Sequence, residues 1–277
     1  MSDKWDTFTG PGEVSGVGVR TWRRGPAAWV VLDRPEVLNA IDPPTAIALQ
    51  TAIIAASEES QVRVIVITGS GERSFSVGAD LKWRDAHPKA ASRLPVGGGL
   101  IMPGPSGIEC WKPIIAAVDG YALGGGFELV LASDLAIATE KSVFGLPEVT
   151  VGLVADAGGV HRLARQLPSK LAMELTLTGR RLSAHEALEL GLINQMVQVD
   201  SLISAVDDLI ERICAASPLA VQAAKQTAVL GLDRPLGEVM AVRFPLHEVL
   251  LASNESNEGT RAFLEHRPPR WSSSPST

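Results

Sequence analysis

The chain has 277 residues, and it contains few of the cysteine and histidine residues that are typical of disulfide-rich and metal-binding proteins. Its two cysteines, Cys110 and Cys214, lie far apart without metal-ligand spacing. We therefore expect no disulfide framework and predict a reducing, cytoplasmic location. The five histidines are scattered without the H-x-x-x-H spacing of a zinc site, so no metal-binding residue is predicted.

Positive charge and long apolar runs are also scarce. The formal net charge of −6 is unlike the basic footprint of nucleic-acid binders, so no nucleic-acid partner is expected. No run reaches the ~18 apolar residues that span a bilayer, which argues against a membrane protein. The N-terminal segment has mixed charge and lacks the apolar region of a secretory signal.

The apolar patterning predicts an α/β core. Apolar runs at 62–68, 114–118 and 135–138, the first of them rich in β-branched residues, are typical of buried strands. A hairpin is predicted over 14–32 with its turn at Gly25-Pro26, followed by a helix that begins at Pro43. Strands that alternate with helices imply crossover connections and much parallel pairing.

Four segments are predicted along the chain: a flexible arm at 1–13, a core at 14–200, a helical subdomain at 201–271 and a disordered tail at 272–277. The subdomain reads as helices at 202–215, 218–230, 235–252 and 255–266, with apolar faces and no strands to cover. This favours packing between subunits. Glycine and proline crowd residues 84–112, which predicts a working loop or disorder.

A glycine run and two acidic residues are the strongest chemical signal. Gly124–Gly126 follows a buried strand and opens a helix, where backbone N–H groups favour negative charge. The spacing is neither that of a Rossmann fingerprint nor that of a P-loop. Glu128 and Glu148 both lie in apolar surroundings, which raises the proton affinity of a carboxylate. Two exposed glutamates remain the alternative.

Two further segments carry polar groups near glycines. Gly78-Ala79 can expose a second N–H, which with the glycine run would complete a two-donor oxyanion hole, and Asp80 is predicted to cap a helix. Asp156 precedes Ala157-Gly158-Gly159 and is interpreted as another helix N-cap. No G-x-S-x-G nucleophile elbow is present.

Several blocks together resemble the crotonase, or enoyl-CoA hydratase/isomerase, superfamily. The resemblance covers about residues 14–271 and rests on FSVGADLK (75–82), KPIIAAVDGYALGGGFELVLASD (112–134), FGLPEVTVGLVADAGGVHRLARQLP (144–168), LTGRRLSAHEALELGLIN (177–194) and AFLEHRPPRW (262–271). GGGFELVLASD, LPE, DAGGVHRL and RPPRW are also similar to the carnitinyl-CoA dehydratase branch. Leu146, Ala155 and Asp156 depart from the pattern of many hydratases.

The resemblance implies a fold and a set of site residues. The fold would be a spiral of ββα units with a C-terminal helical trimerisation region, as a homotrimer or a dimer of trimers. The oxyanion hole would use the N–H groups of Ala79 and Gly125, and the catalytic acids would be Glu128 and Glu148. The resemblance also places acyl-CoA binding at Asp80, Leu81, Lys82 and Phe263.

The resemblance further implies a hydro-lyase of fatty acid metabolism that adds water reversibly to a 2-enoyl-CoA thioester. Coenzyme A would arrive as part of the substrate, with no other cofactor. Retention of both acids favours hydration over the alternatives, which are an enoyl-CoA isomerase and a non-catalytic CoA-binding scaffold.

Overall fold

The computed structural model describes residues 13–92 and 107–271, and within these ranges eleven strands form two sheets. The larger sheet has the order β1-β2-β3-β4-β6-β8-β11 and the smaller has the order β10-β9-β7-β5. The strands are β1 Glu13–Gly16, β2 Val19–Arg24, β3 Ala27–Leu32, β4 Val64–Gly69, β5 Ser74–Ser76, β6 Ile114–Val118, β7 Tyr121–Leu123, β8 Leu135–Thr139, β9 Val143–Gly145, β10 Leu182–Ser183 and β11 Gln195–Val197.

From β4 to β9, consecutive strands alternate between the two sheets. β4, β6 and β8 pair in parallel in the larger sheet, while the strands that follow them, β5, β7 and β9, pair in parallel in the smaller one. Each strand pair is then followed by helical structure. The predicted α/β spiral of ββα units is confirmed.

The described ranges contain twelve α-helices. They are α1 Pro43–Glu58, α2 Leu81–Ala86, α3 Pro88–Ala91, α4 Gly125–Ala132, α5 Gly159–Gln166, α6 Ser169–Thr178, α7 Ala184–Glu189, α8 Leu202–Ala215, α9 Pro218–Gly231, α10 Leu236–Val239, α11 Pro245–Ala252 and α12 Glu255–Leu264. Short 3₁₀ turns lie at Pro35–Val37, Pro147–Val151 and Val199–Ser201.

The predicted N-terminal hairpin needs correction. The stretch 14–24 is two antiparallel strands, β1 and β2, because the chain turns at Gly18, which has a φ of +73°. Glu13 already belongs to β1, so the arm predicted over 1–13 extends too far; residues 1–12 lie outside the described ranges. The turn at Gly25-Pro26, between β2 and β3, is confirmed.

The larger sheet is covered on both faces. One face joins α1, α4 and the smaller sheet in the main core, which includes Ile65, Phe75 and Phe127. The other face, with Trp29 and Val66, packs against α8. The prediction that the C-terminal helices have no strands to cover is therefore wrong for α8.

Two further sequence predictions are corrected. The helix predicted over 235–252 is broken into α10 and α11, with Pro245 at the start of the second. The loop predicted over 84–112 contains the end of α2 and all of α3, while residues 93–106 and the predicted tail at 272–277 lie outside the described ranges. In the described part of the chain, no helix is both long and apolar enough to cross a bilayer.

Candidate active site

Glu128 lies on α4 and is almost fully buried, with 4% of its surface exposed. Its neighbours along the helix are apolar, as the sequence indicates. Its Oε1 accepts a hydrogen bond from the backbone N–H of Gly159 at 2.8 Å. A Cβ on Gly159 would lie 2.8 Å from that oxygen, so a residue without a side chain is needed for this close approach.

Glu148 approaches the same region from a different unit of the fold. It lies in the 3₁₀ turn Pro147–Val151, which begins two residues after β9 ends. Its Oε1 faces Gly124, where a Cβ would stand 3.1 Å away, and Gly124 itself immediately precedes α4. Its Oε2 is buried and has no hydrogen-bond partner among the described residues.

Both carboxyl groups hold protons more tightly than usual. Burial raises the pKa of Glu128 from its ordinary 4.5 to about 7; the charges of Glu148 and Asp156 add to the rise, and the Gly159 N–H opposes it. Burial also raises the pKa of Glu148, again with a contribution from Asp156. The structure thus brings together the two acids predicted from the sequence, in an environment suited to proton transfer near neutral pH.

Asp156 has a different place from the one predicted. α5 begins at Gly159 with Gly158 as its N-cap residue, and no side chain caps it, so the interpretation of Asp156 as an N-cap is wrong. Gly158 adopts a φ of +105°, which a glycine accommodates easily. The exposed carboxylate of Asp156 instead acts electrostatically on both glutamates.

A cation also lies close to this group of acids. Arg162, on α5, is half-buried, and its interaction with the charge of Glu128 opposes the desolvation that lowers the pKa of the guanidinium. Its Nη1 donates to the carbonyl of Ala157 at 3.3 Å. Asp156 in the turn before α5 and Arg162 on α5 therefore bring one negative and one positive charge close to Glu128.

The segments that carry the two backbone donors predicted from the sequence lie directly against each other. Gly78 adopts a φ of +81°, and a Cβ there would stand 2.4 Å from the backbone nitrogen of Gly125. A Cβ on Gly126 would stand 2.2 Å from the carbonyl oxygen of Ser76. The segment after β5 is thus packed directly onto the first turn of α4, backbone against backbone.

The N–H groups of Ala79 and Gly125 remain available for a ligand. Ala79 forms a parallel bridge with Ile41, in which the carbonyl of Gly78 and the N–H of Asp80 make the hydrogen bonds. Gly125 is the first residue of α4, where an N–H has no partner within the helix. Neither N–H donates to an acceptor among the described residues.

The other predicted binding residues lie on α2 and α12. Asp80 caps α2 as predicted, since its Oδ1 accepts from the N–H of Trp83 at 3.0 Å. Leu81 and Lys82 are exposed in the first turn of that helix. Phe263 is 80% exposed on α12, which packs against α11. Its predicted contribution to acyl-CoA binding stays a prediction.

A family model for "Enoyl-CoA hydratase/isomerase" matches residues 26–274. The chain belongs to this family. The match spans both sheets from β3 onward and every residue discussed above as part of the site.

Relatives within the enoyl-CoA hydratase/isomerase family are similar over nearly their whole length. (E)-Benzylidenesuccinyl-CoA hydratase from Thauera aromatica is 40% identical over 88% of this chain and 94% of its own. Carnitinyl-CoA dehydratase from Salmonella enteritidis is 38% identical over 90% of this chain and 96% of its own.

Solved structures agree with the family assignment. An enoyl-CoA hydratase from Mycobacterium tuberculosis H37Rv matches with a TM-score of 0.83 at 36% identity, covering 93% of this chain and 99% of that one. An enoyl-CoA hydratase from Bacillus anthracis also matches with a TM-score of 0.83, at 32% identity, covering 93% of this chain and all of that one. The predicted superfamily membership and fold class are confirmed.

Sequence reasoning missed three contributors to the site. The N–H of Gly159 and the charges of Asp156 and Arg162 act on Glu128 from 28 to 34 residues away along the chain. The departure of Asp156 from the pattern of many hydratases is the one available signal, but its position before a glycine pair also fits a helix cap. No sequence pattern pointed to Arg162.

Glu128 should make the folded protein less stable at neutral and higher pH than it is near pH 5. Its pKa is higher in the folded state than its ordinary value, so folding holds its proton and the ionised form opposes folding. This penalty grows as the pH rises from about 4.5 and is complete above about 7, where it reaches on the order of 3 kcal/mol. Glu128→Gln should therefore raise the melting temperature more at pH 8 than at pH 5.

The matched control is Glu174→Gln, which removes a largely exposed carboxylate paired with Arg180. It should leave the pH dependence of unfolding close to that of the wild type. If the advantage of Glu128→Gln is the same at pH 5 and pH 8, the raised pKa of Glu128 is incorrect.

Proposed function

We propose that this protein is an enoyl-CoA hydratase, a hydro-lyase that adds water reversibly across the C2–C3 bond of a 2-enoyl-CoA thioester. The observation that supports this most strongly is the placement of two proton-holding carboxyl groups beside two unused backbone N–H groups. A hydratase needs both, because it must manage a water molecule and stabilise an enolate-like oxygen. The names of the relatives agree with this class of reaction.

In the proposed reaction, the thioester carbonyl oxygen accepts hydrogen bonds from the N–H groups of Ala79 and Gly125. This polarises the conjugated double bond and stabilises the negative charge that develops on the oxygen as C3 is attacked. Loss of one such donor typically lowers the rate by about 10²–10³. Because the thioester supplies the activation, we propose no cofactor beyond the CoA that the substrate carries.

The water molecule would be held between Glu128 and Glu148. Glu128 would remove a proton from the water as its oxygen bonds to C3, and Glu148 would deliver a proton to C2. A pKa of about 7 leaves much of Glu128 ionised at neutral pH, as a base requires. The buried Oε2 of Glu148, which has no partner among the described residues, is suited to carry a proton.

The preferred acyl group of the substrate has to be found with a panel of thioesters, because the two relatives named above act on different ones. Crotonyl-CoA, crotonobetainyl-CoA and benzylidenesuccinyl-CoA, assayed by loss of enone absorbance, would rank the candidates. Hydration of crotonobetainyl-CoA with the highest kcat/KM would support the carnitinyl-CoA dehydratase branch. Double-bond migration without water addition would instead support an isomerase.

Glu148→Gln should remove most of the hydratase activity. Glutamine keeps the shape of the side chain but cannot transfer the proton, and such groups are typically worth ~10²–10⁴ in rate. The measurement is kcat with the best substrate of the panel. Glu140→Gln, which alters an exposed carboxylate paired with Gln198, is the control and should stay active. Turnover in Glu148→Gln within about threefold of wild type would contradict the assigned role.

Asp156→Asn should move the acidic limb of the pH profile to lower pH. The negative charge of Asp156 raises the pKa of both glutamates, so a neutral amide should let the base ionise at lower pH. The measurement is kcat/KM from pH 5 to 9, with Asp233→Asn, an exposed partner of Arg165, as the control. A profile that superimposes on the wild type would show that Asp156 does not act on the pair.

We also propose a homotrimer or a dimer of trimers, with the C-terminal helices in the contacts. Large apolar side chains are unusually exposed there, at Leu232, Leu236, Met240, Phe263 and Leu264. Such patches are typical of interfaces between proteins. Light scattering at micromolar concentration should give at least three times the chain mass, and a mass near 29.3 kDa would contradict the proposal.

A further inference from the structure

The segment between β3 and α1 contains two consecutive non-glycine residues in the left-handed region. Leu38 has a φ of +57° and Asn39 has a φ of +56°. Such residues are uncommon outside glycine and persist where surrounding contacts determine the backbone. They lie outside the acid pair, and the reaction proposed above does not use them.

Asn39 ties this segment to the strand that leads into the site. Its Nδ2 donates to the carbonyls of Ser70 and Ser74 at 2.9 Å each, and its Oδ1 accepts from the N–H of Arg34 at 2.9 Å. Its own carbonyl accepts from Ser76 Oγ at 2.7 Å. The amide is 1% exposed, so these bonds are shielded from water and hold β5 firmly against the segment.

The same segment holds Ala79 from one side. The N–H of Ile41 donates to the carbonyl of Gly78 at 2.8 Å, and the N–H of Asp80 donates to the carbonyl of Ile41 at 3.0 Å. These two bonds bracket Ala79. The direction of the Ala79 N–H therefore depends on where the backbone of Ile41 lies.

Arg34 contacts residues on both sides of the Ile41–Ala79 bridge. Its Nη2 lies 3.1 Å from Asp80 Oδ2 and its Nη1 lies 3.1 Å from Asp42 Oδ2. Nη1 also donates to the carbonyl of Ala40 at 2.9 Å. All three charged side chains are at most 19% exposed.

The two carboxylates that Arg34 joins also fix the starts of two helices. Asp42 caps α1 through the N–H of Thr45, and Asp80 caps α2 through the N–H of Trp83. The planar guanidinium directs one nitrogen at each carboxylate in a fixed geometry, which the single ammonium group of a lysine would not reproduce. Arg34 thereby links the helix caps on either side of the Ile41–Ala79 bridge.

The stem of Arg34 is also confined. A Cβ on Gly18 would stand 2.7 Å from Arg34 Cδ, so the aliphatic part of the side chain lies directly against the turn between β1 and β2. Because the aliphatic part of the side chain is confined, the guanidinium can hardly move away from the two carboxylates.

We propose that Arg34 is a positioning residue of the oxyanion hole, which aligns the N–H of Ala79 with that of Gly125 by holding Asp80 and the carbonyl of Ala40. The inference rests on the proposed function, because it assigns a purpose to the Ala79 N–H. Oxyanion-hole donors act only when they point at the developing charge, and small displacements of a reacting group are costly in rate. Arg34 itself does not touch the reacting atoms.

The test compares Arg34→Met with Arg180→Met. Methionine keeps an unbranched apolar stem and removes the guanidinium. Arg180 is a matched control because its guanidinium also joins two carboxylates, Glu174 and Glu186, and within the described ranges its side-chain hydrogen bonds go to none of the residues that carry the oxyanion hole. We expect Arg34→Met to lower kcat by about 10- to 100-fold with KM within about threefold, and Arg180→Met to change neither.

A spectroscopic readout separates positioning from a general loss of structure. A conjugated aryl thioester such as cinnamoyl-CoA should shift its absorbance to longer wavelength when the oxyanion hole polarises it. The wild type and Arg180→Met should give the full shift, and Arg34→Met should give a reduced shift at saturating ligand. If Arg34→Met does not fold, Asp80→Asn serves instead, since asparagine keeps the cap and weakens the ion pair.

The outcomes are distinguishable. A wild type that neither hydrates an enoyl-CoA nor shifts the bound chromophore would overturn the proposed function and this inference with it. A wild type that does both, beside an Arg34→Met or Asp80→Asn protein with unchanged kcat and full shift, would overturn this inference alone. A reduced shift with a matching loss of kcat would support it.

Discussion

The direct packing of two backbones, after β5 and at the start of α4, is the constraint on which the site depends. Gly78 and Gly126 permit it, since a Cβ at either position would fall within 2.4 Å of a backbone atom of the other segment. No rotamer change could relieve such a contact, because the obstructing atoms belong to the main chain. The backbone segments that carry the N–H groups of Ala79 and Gly125 can approach this closely only because these two positions carry no side chain.

The burial of the two acids lowers the stability of the fold but gives their carboxyl groups the raised pKa that proton transfer requires. Each carboxyl group loses hydration when it is enclosed, and the backbone hydrogen bonds from Gly159 and Ala157 offset only part of this loss for Glu128. A fully satisfied or apolar side chain would be cheaper in folding free energy. The nearby negative charge of Asp156 adds to the cost instead of relieving it. Such an arrangement is typical of catalytic groups tuned toward neutral pH.

Short-range sequence patterns predicted the helices and strands whose ends are set by nearby residues. The strand Ile114–Val118 and the helix Leu202–Ala215 have the predicted limits, and Asp80 caps a helix as its position indicates. The sequence did not reveal that α8 covers the second face of the larger sheet, because an apolar helix face does not indicate which surface it packs against. The break before Pro245 was missed because apolar residues continue through it.

The same distinction holds for the site. The two glutamates and the glycine run were predictable because each stands in an unusual local context. Asp156, Arg162, Arg34 and Asn39 were not, because their roles come from contacts between segments that lie far apart in the chain. Asp156 preceded a glycine pair that resembled a cap, and only the fold shows Gly158 in that place.

The topology explains why groups so far apart in the chain converge. β5, β7 and β9 are parallel neighbours in the smaller sheet, and each is the second strand of a ββα unit. The residues just past their carboxyl ends therefore lie at one edge of that sheet. Ala79 follows the first strand, Gly125 the second and Glu148 the third, each two or three residues beyond the strand end. Repetition of one unit thus delivers two donors and one acid to a single place, and α4, which begins at Gly125, adds Glu128 one turn later.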